Sequence, residues 1–340
     1  AIEIGSNAVR MIVAELEDSC ELRVIERWSS HLRLGDTVFE CGEISENIFQ
    51  QLLHTIHGLL LEIKKFPQIK VSLSGTSAMR DANNSVEVVD RLKTLVEFPV
   101  KILSGIEESR CLLDGVQSFL PQSVLMKFPL RQTFLADLGG GSLEISLLEH
   151  ETNRTSNKTK FLQSFDIGTL RLRKIKNAIQ QLESIIPEGL SQLLQVFSVN
   201  PEDRSHLILT GGNAKTFARL FTQVSKKYQS DKRGKNQTAN WISLDWTEFE
   251  RIEQIFQKQS PLEQQKRWKL RSQQTEIFNI ALAVFLKIGI KLRTAQLSIP
   301  FFGLKESLLL SLVSANIEKP LQDITLVLTS GPPKKFKIST

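Results

Sequence analysis

The first part of the chain alternates apolar and polar residues as the strands of a sheet do. Residues 11–17 and 21–28 are predicted to form two strands of a meander, joined by a polar turn around Asp18 and Ser19. Between positions 45 and 65 the period changes, because apolar residues recur there at helical spacing behind Ser45, a suitable N-cap. This change of period predicts an α/β unit.

Later segments repeat both patterns. Further strands are predicted at 70–74, 100–103, 134–136, 143–148, 207–210 and 323–328, and further helices at 86–97, 104–119, 277–290 and 305–315. A chain of 340 residues is long enough for two α/β domains with separate cores. We predict a first domain at 1–120, completed by a helix at 304–315, a second domain at 121–303, and a tail at 316–340.

A glycine-rich hairpin at 137–144, here called the second hairpin, is the most informative motif. Asp137 ends an apolar strand, Gly139, Gly140, Gly141 and Ser142 follow, and the apolar alternation then resumes. Successive glycines can adopt positive φ and leave no Cβ between backbone N–H groups and a bound anion. The motif is a candidate phosphate loop, although an ordinary surface turn also fits a lone glycine run. Since a strand follows the glycines, P-loop and dinucleotide motifs are excluded.

The chain begins with a second copy of this arrangement at 2–11, here called the first hairpin. Glu3 aligns with Asp137 and Gly5 with Gly139, both at an offset of 134 residues (137 − 3 and 139 − 5), and the strands that follow also align. A repeat over this distance indicates two related domains and not a solenoid. Two acidic hairpins facing one cleft would hold a metal–phosphate group from both sides.

Two further segments follow predicted strands and carry candidate chemistry. Residues 75–83 are mainly small and hydroxylic and include Arg80, a composition common where a loop meets a ligand. Glu107 and Glu108 lie in the first turn of the helix at 104–119. Carboxylates at that position complement the helix dipole without any function, but one of them is also suited to orient or deprotonate a water.

The net charge of +6 favours anionic partners only weakly. Basic residues cluster at 171–176, 226–235 and 266–271, and a solvated surface explains such clusters as well as a polyanion track does. Tyr228, the only tyrosine of the chain, lies in one of these clusters, and no aromatic residues are interleaved with the clusters at regular spacing. We therefore expect no binding of single-stranded nucleic acid.

Composition also bounds the location and the metal chemistry. The longest apolar segment, 277–290, is interrupted by Asn279 and Lys287, so we expect no membrane span, and no secretory leader is recognisable. The three cysteines have no metal-binding spacing, which suggests reduced thiols in the cytoplasm. The five histidines form no HxxxH or HD arrangement and are expected to be ordinary polar or core residues.

Five blocks, in order over nearly the whole chain, resemble the exopolyphosphatase / guanosine pentaphosphate phosphatase family, which belongs to the superfamily of actin, sugar kinases and heat-shock ATPases. The blocks are residues 2–11, 75–83, 102–110, 136–145 and 211–214. The resemblance implies two ribonuclease H-like domains with mixed sheets flanked by helices and an active-site cleft between them. It also implies Mg²⁺-dependent hydrolysis of a terminal phosphoanhydride of polyphosphate or guanosine pentaphosphate, and it leaves a homodimer possible.

The resemblance also implies roles for individual residues. Glu108 corresponds to the catalytic glutamate that activates water, with Glu107 as the alternative, and Arg80 is its catalytic partner facing the anion. The implied metal ligands are Glu3, Asp137 and Glu144. The implied phosphate-binding residues are Ser6, Asn7, Arg10, Gly139, Gly140, Gly141, Ser142, Gly211, Gly212 and Asn213.

Several positions depart from the family pattern. Glu3 replaces an aspartate, Leu143 a threonine, and residues 274–276 read Gln-Thr-Glu where Arg-Ala-Asp is usual. In the closing segment at 299–307, an aromatic residue replaces an acid. Two alternatives to a hydrolase stay open: a regulator that binds polyphosphate or a nucleotide without turnover, and an ATP-dependent kinase.

Overall fold

The computed structural model describes residues 1–125, 132–150, 157–185, 204–225, 240–328 and 334–335. The chain divides into two compact units, Ala1–Leu120 with Phe302–Thr340, and Pro121–Phe301. The sequence predicts the corresponding boundaries at 120 and 303. The basic cluster at 226–235, with Tyr228, lies outside the described residues.

The helices and strands predicted from the sequence patterns occur in the predicted order, and further elements lie between them. The strands are β1 (Ile2–Ile4), β2 (Val9–Leu16), β3 (Glu21–Ser30), β4 (Leu73–Gly75), β5 (Val100–Ile102), β6 (Gln132–Leu138), β7 (Leu143–His150), β8 (Asn157–Phe165), β9 (Ser205–Thr210), β10 (Trp241–Asp245), β11 (Thr294–Pro300), β12 (Thr325–Val327) and β13 (Lys334–Lys335). The helices are α1 (Leu34–Cys41), α2 (Glu46–Ile63), α3 (Ser77–Asp81), α4 (Ser85–Lys93), α5 (Gly105–Phe119), α6 (Gln122–Leu125), α7 (Thr169–Arg173), α8 (Leu182–Ile185), α9 (Gly211–Ser225), α10 (Trp246–Gln257), α11 (Pro261–Trp268), α12 (Ser272–Lys291) and α13 (Leu304–Ile317). A single 3₁₀ turn at Leu321–Asp323 follows α13.

The first unit contains a mixed sheet with the strand order β12-β3-β2-β1-β4-β5, and β13 also pairs with β3. The meander β1–β2–β3 is antiparallel, whereas β1, β4 and β5 run parallel. In register, Ile4 lies beside Gly75 and Gly75 beside Ile102. The segments that follow these three strands therefore leave the sheet at the same edge.

The core of the first unit is covered by α2 and by the α5–α13 pair. Ser45 caps α2 by accepting a hydrogen bond from the backbone of Ile48, as the sequence predicts. Apolar residues at helical spacing then face the sheet, and each contributes about 1.5–3 kcal/mol through burial. Where α5 meets α13 the helices approach so closely that a Cβ on Gly115 would lie 2.3 Å from the Ser307 hydroxyl.

The second unit contains a mixed sheet with the strand order β10-β11-β9-β6-β7-β8. β6 is parallel to β9 and antiparallel to β7, and in register Asp137 lies beside Thr210. Helices α9, α10 and α12 bury their apolar faces in the core of this unit. The end of β6 therefore lies between the start of β7, its partner in the second hairpin, and the start of α9, which follows β9.

Several element bounds differ from the sequence-based predictions. The strand predicted at 70–74 is limited to β4, because its partner β1 has only three residues. The helix predicted at 86–97 ends at Lys93, and the loop predicted at 75–83 contains the short helix α3. Part of the predicted tail belongs to the first sheet, since β12 pairs with β3 in parallel.

Candidate active site

The first hairpin joins a carboxylate and a guanidinium across two strands. Glu3 on β1 and Arg10 on β2 are directly opposite each other in the antiparallel ladder. Arg10 Nη1 donates to Glu3 Oε1 at 3.0 Å, and the Glu3 side chain is buried while Arg10 is part-exposed. The predicted metal ligand of this hairpin is therefore engaged in an ion pair with the predicted phosphate-binding arginine.

The turn of the first hairpin is tied to the neighbouring segments. Ser6 Oγ accepts a hydrogen bond from the backbone N–H of Ala78, at the start of α3, at 3.2 Å. The carbonyls of Ser6 and Asn7 accept from the backbone of residues 35 and 33 at 2.9 and 3.1 Å. Since a hydroxyl that accepts one bond can still donate another, Ser6 remains able to bind an anion.

Arg80 and Glu108 are in contact beside the carboxyl ends of β4 and β5. Arg80 Nη1 donates to the Leu103 carbonyl at 2.8 Å and lies 3.4 Å from Glu108 Oε2. The guanidinium is anchored by the backbone that follows β5, while α5 carries the carboxylate. The two predicted catalytic residues, 28 positions apart in sequence, are thus in contact.

The two acids of the first α5 turn have different environments. Ser104 and Glu107 form a capping box, in which each side chain bonds the backbone N–H of the other residue. Hydrogen bonds from Lys101 and the Ser104 backbone lower the pKa of Glu107 to about 2. The Glu107 side chain is 46% exposed, against 9% for Glu108. Glu107 therefore stabilises the helix start, and Glu108 is the acid that lies beside Arg80.

In the second hairpin two carboxylates are opposite each other. Asp137 at the end of β6 pairs in register with Glu144 at the start of β7, and both side chains are buried. Ser164 on β8 donates to Glu144 Oε1 at 2.8 Å. The predicted metal ligands of this hairpin are therefore on adjacent strands, and one of them is oriented by a hydroxyl.

The glycine turn is held from one side by the segment that follows β8. Backbone N–H groups of Thr169 and Leu170 donate to the carbonyls of Gly139 and Gly140 at 3.1 and 2.8 Å. Arg171 Nε donates to the Gly141 carbonyl at 2.6 Å.

These bonds determine where the donors of the turn point. In a trans peptide group the carbonyl and the next N–H point in opposite directions. With their carbonyls bound by residues 169–171, Gly139, Gly140 and Gly141 direct the following N–H groups, of residues 140–142, to the other side of the turn. Successive N–H groups arranged in this way form an anion-binding concavity.

Gly211 brings the start of α9 against the Asp137 carboxylate. Its φ is +88°, and a Cβ there would lie 2.3 Å from Asp137 Oδ1. At Gly212, in contrast, no atom of the described residues lies within 4 Å of the position that a Cβ would occupy. The family resemblance implies a loop at Gly211 and Gly212 that closes the far side of the site. That expectation is wrong, because these residues open a 15-residue helix directly after β9. A helix N-terminus carries partial positive charge, which suits an anion beside it.

Residues that depart from the family pattern have structural roles. Gln274 accepts from the Arg271 backbone N–H at the start of α12, and Glu276 pairs with Arg173 at 2.9 Å. Phe302 is fully buried and stacks on Phe119 with ring centroids 4.7 Å apart. These side chains stabilise their own units.

Two kinds of feature are absent from the described residues. No helix in that part of the chain combines the length and apolar character that a bilayer crossing requires. Groups of three or more histidine, cysteine, aspartate or glutamate side chains able to hold a metal are likewise absent from the described ranges.

Residues 11–316 match the sequence model of the Ppx/GppA phosphatase family. The chain belongs to the Ppx/GppA phosphatase family. The family resemblance inferred from the five sequence blocks is therefore confirmed. The match begins after most of the first hairpin, so Glu3, Ser6, Asn7 and Arg10 lie outside the matched residues.

Relatives of this Ppx/GppA family member have been named in two bacteria. A putative exopolyphosphatase of Haemophilus influenzae is 25% identical over 145 residues, which are 43% of this chain and 42% of that protein. Exopolyphosphatase 1 of Mycobacterium leprae is 26% identical over 180 residues, 51% of this chain and 48% of that protein. The matches thus span less than half of each relative's length.

Solved structures agree with the fold over almost the whole chain. An exopolyphosphatase from Cytophaga hutchinsonii superposes with a TM-score of 0.74 at 19% identity, covering 94% of this chain and 98% of that one. The Aquifex aeolicus Ppx/GppA family member gives a TM-score of 0.68 at 22% identity, covering 93% and 97%. The predicted actin-like, two-domain α/β fold is confirmed by these likenesses.

The residues that hold the second hairpin of this Ppx/GppA protein are not among those predicted from the sequence. A Cβ on Gly168 would lie 2.2 Å from the Gly140 carbonyl oxygen, so only glycine allows the segment to pack on the turn. Arg171 was predicted only as part of a basic cluster, and Ser164 was not singled out. In the sequence, Gly168-Thr169 indicates only a turn. Nothing in that dipeptide indicates that the turn packs on Gly139, Gly140 and Gly141.

Proposed function

We propose that this protein is a hydrolase that removes the terminal phosphate from inorganic polyphosphate, from guanosine pentaphosphate, or from both, by in-line attack of water. Membership of the Ppx/GppA family and the exopolyphosphatase names of its relatives support this proposal. The observation that carries it is the contact between buried Glu108 and Arg80, since the neighbouring acid Glu107 is occupied in a helix cap.

Glu108 is assigned as the general base. A positioned carboxylate that takes a proton from the attacking water contributes about 10²–10⁴ in rate. Arg80 orients this carboxylate, and its charge also offsets the negative charge that builds up on the phosphoryl oxygens. Because Arg80 is itself anchored to the Leu103 carbonyl at 2.8 Å, little reorganisation is required when substrate binds.

The phosphate is assigned to backbone donors and to Arg10. In the second hairpin the N–H groups of Gly140, Gly141 and Ser142 form the concavity described above, and the start of α9 adds partial positive charge at Gly211, Gly212 and Asn213. In the first hairpin, Ser6, Asn7 and Arg10 are the assigned contacts. These groups would bind a terminal phosphate whichever chain is attached to it.

Mg²⁺ fits the donors of the second hairpin. This ion usually keeps several waters and binds through one or two carboxylates together with substrate phosphate, which suits a buried pair such as Asp137 and Glu144. Glu3 fits less well, because Arg10 already occupies its Oε1. When bound, the ion would neutralise charge on the phosphoryl oxygens. The chain's part is to hold the two carboxylates in place, with Ser164 orienting Glu144.

Replacement of each of the two acids in the first turn of α5 tests the assignment. Phosphate release from polyphosphate with Mg²⁺ is measured for the wild type, Glu108→Gln and Glu107→Gln. We expect Glu108→Gln to lose about 10²–10⁴ of the rate. Glu107→Gln is the matched control, because glutamine also completes a capping box, and it should remain active. If the wild type binds polyphosphate but releases no more phosphate than Glu108→Gln, the binding-regulator alternative is correct instead.

The dependence of turnover on ionic strength distinguishes the two candidate substrates. A polyphosphate chain extends beyond its terminal phosphate, so its turnover should fall steeply with ionic strength and depend on exposed cations such as Lys174, Lys176 and Lys269. Turnover of guanosine pentaphosphate should depend on them much less. Transfer of phosphate to a sugar or carboxylate, and not to water, would support the kinase alternative. The cytoplasmic location and a homodimer stay predictions of the sequence.

A further inference from the structure

A mainly apolar pocket of about 480 Å³ lies on the first unit, beside β4 and β5 and between α5 and α13. Pockets that bind small molecules commonly have roughly 300–1,000 Å³. The apolar part of the lining comes from Leu103, Ile106, Leu308 and Leu312. The Ile106 side chain is 51% exposed, which is unusual for a large apolar residue on a helix that otherwise buries its apolar side.

The charged residues of the lining are Lys101, Glu107 and Arg110, all of them exposed. Glu107 and Lys101 neutralise each other through a contact of 2.8 Å, and Glu107 is further occupied by the helix cap. Asp114, one turn beyond Arg110, interacts with it electrostatically but does not line the pocket. The pocket thus combines an apolar interior with one excess cation in its lining.

A buried hydroxyl also belongs to the lining. Ser72 Oγ is shielded from solvent, and no described residue provides it with a hydrogen-bond partner. A buried polar group without a partner costs about 1–3 kcal/mol. Since its Oγ has almost no accessible surface, Ser72 offers a ligand no hydrogen bond, and exposed Arg110 is a charged group that a ligand can reach.

From these features we infer that the pocket binds a small amphipathic carboxylate, with its apolar chain against Ile106, Leu308 and Leu312 and its charged end at Arg110. The pocket is lined by α5, the helix that carries Glu108. Any effect of such a ligand on turnover rests on the function proposed above, whereas binding itself does not.

Octanoate is the probe, and octylammonium and acetate are its controls, since the first reverses the charge and the second lacks the chain. Cys111 lines the pocket, and the chain contains two other cysteines, Cys20 and Cys41. In a Cys20→Ser, Cys41→Ser background, the rate of thiol modification therefore reports occupancy at Cys111. We expect octanoate to slow modification and to bind saturably in calorimetry, and each control to bind at least about tenfold more weakly.

Two variants locate the site. Ile106→Asp should weaken octanoate binding about tenfold, because the half-exposed side chain loses its apolar contact and a like charge is added. Leu61→Asp on α2 is the matched control, since Leu61 is also 51% exposed, and it should bind octanoate as the wild type does. Arg110→Gln should weaken octanoate binding about threefold and strengthen octylammonium binding by a similar factor, because the same cation attracts the first ligand and repels the second.

Circular dichroism and thermal unfolding establish that each variant is folded. Absence of saturable octanoate binding, equal binding of octylammonium, or unaltered binding to Ile106→Asp would each overturn the inference. Since these measurements do not use turnover, they can fail while the phosphatase assignment holds, and the reverse is equally possible.

Discussion

The backbone of Gly211 provides a sharp test of how the second unit positions Asp137. This residue has a φ of +88° and lies so close to the acid that a Cβ would be 2.3 Å from Asp137 Oδ1. In Gly211→Ala, both the left-handed conformation and the contact become unfavourable. The side chain of Asp137 or the start of α9 must then move.

The expected magnitude follows from three contributions. The left-handed conformation costs an alanine about 1–2 kcal/mol, and overpacking of a well-packed site costs about 1–3 kcal/mol. The reduced freedom of the unfolded chain offsets about 0.4–1 kcal/mol of this. We therefore expect Gly211→Ala to lower the free energy of unfolding by about 3 kcal/mol.

The neighbouring glycine supplies the control. Gly212 lies in the same helical turn, has no described atom within 4 Å of the position that a Cβ would occupy, and does not have a positive φ. Gly212→Ala should therefore be neutral or more stable than the wild type by about 0.5–1 kcal/mol. The same chemical change at adjacent positions is predicted to have opposite effects.

Urea unfolding followed by tryptophan fluorescence measures the difference. Three of the four tryptophans, Trp241, Trp246 and Trp268, belong to the second unit, so the signal mainly reports the unit that contains the substitution. Phosphate release should fall in Gly211→Ala, because the Asp137 side chain or the start of α9 must move. Stability alone is the readout for Gly212→Ala, since Gly212 is itself an assigned phosphate-binding residue. Equal stability of the two variants would refute the close approach of Gly211 to Asp137.

Three other substitutions probe other parts of the molecule. Arg171→Ala should destabilise the second unit by about 2 kcal/mol and speed amide hydrogen exchange at residues 139–142, because the Gly141 carbonyl loses its donor. Lys101→Gln should raise the pKa of Glu107 from about 2 towards its ordinary value of 4.5, as followed by NMR titration. Because the folded-state pKa is lowered, the wild type has this stabilisation above pH 4.5 and loses it as the pH falls towards 2, and the variant should lose less. Phe302→Ala should cost about 3–5 kcal/mol in urea unfolding, since a buried ring is removed.

The hairpins could be predicted from sequence because their information is local. An acid, a glycine turn and the following alternation lie within a few positions, and the ladder pairs Asp137 with Glu144 as that spacing requires. The start of α9 could not be predicted in the same way. The family resemblance implied a loop at Gly211 and Gly212, and glycine ordinarily disfavours helices. The contact with Asp137 is what requires glycine at 211.

The support for the second hairpin was beyond local reasoning. Gly168 and Arg171 lie about 30 positions from the turn they contact, and nothing near them in sequence specifies that contact. A basic residue in a cluster is usually solvated, so the pattern left Arg171 with two interpretations, a solvated surface or part of a polyanion track. In the structure, the Arg171 side chain instead bonds the Gly141 carbonyl and so orients a backbone donor of the candidate phosphate site.

The sequence contains a pattern that distinguishes Glu107 from Glu108. Ser104 followed three residues later by Glu107 is the signature of a capping box, and the described structure contains that box. Successive residues of an α-helix are rotated by about 100°, so Glu108 faces a different side of α5 from Glu107. The Glu108 side chain is buried where β4 and β5 end. A cap that stabilises the helix start thus leaves Glu108 as the acid of this turn that we propose as the general base.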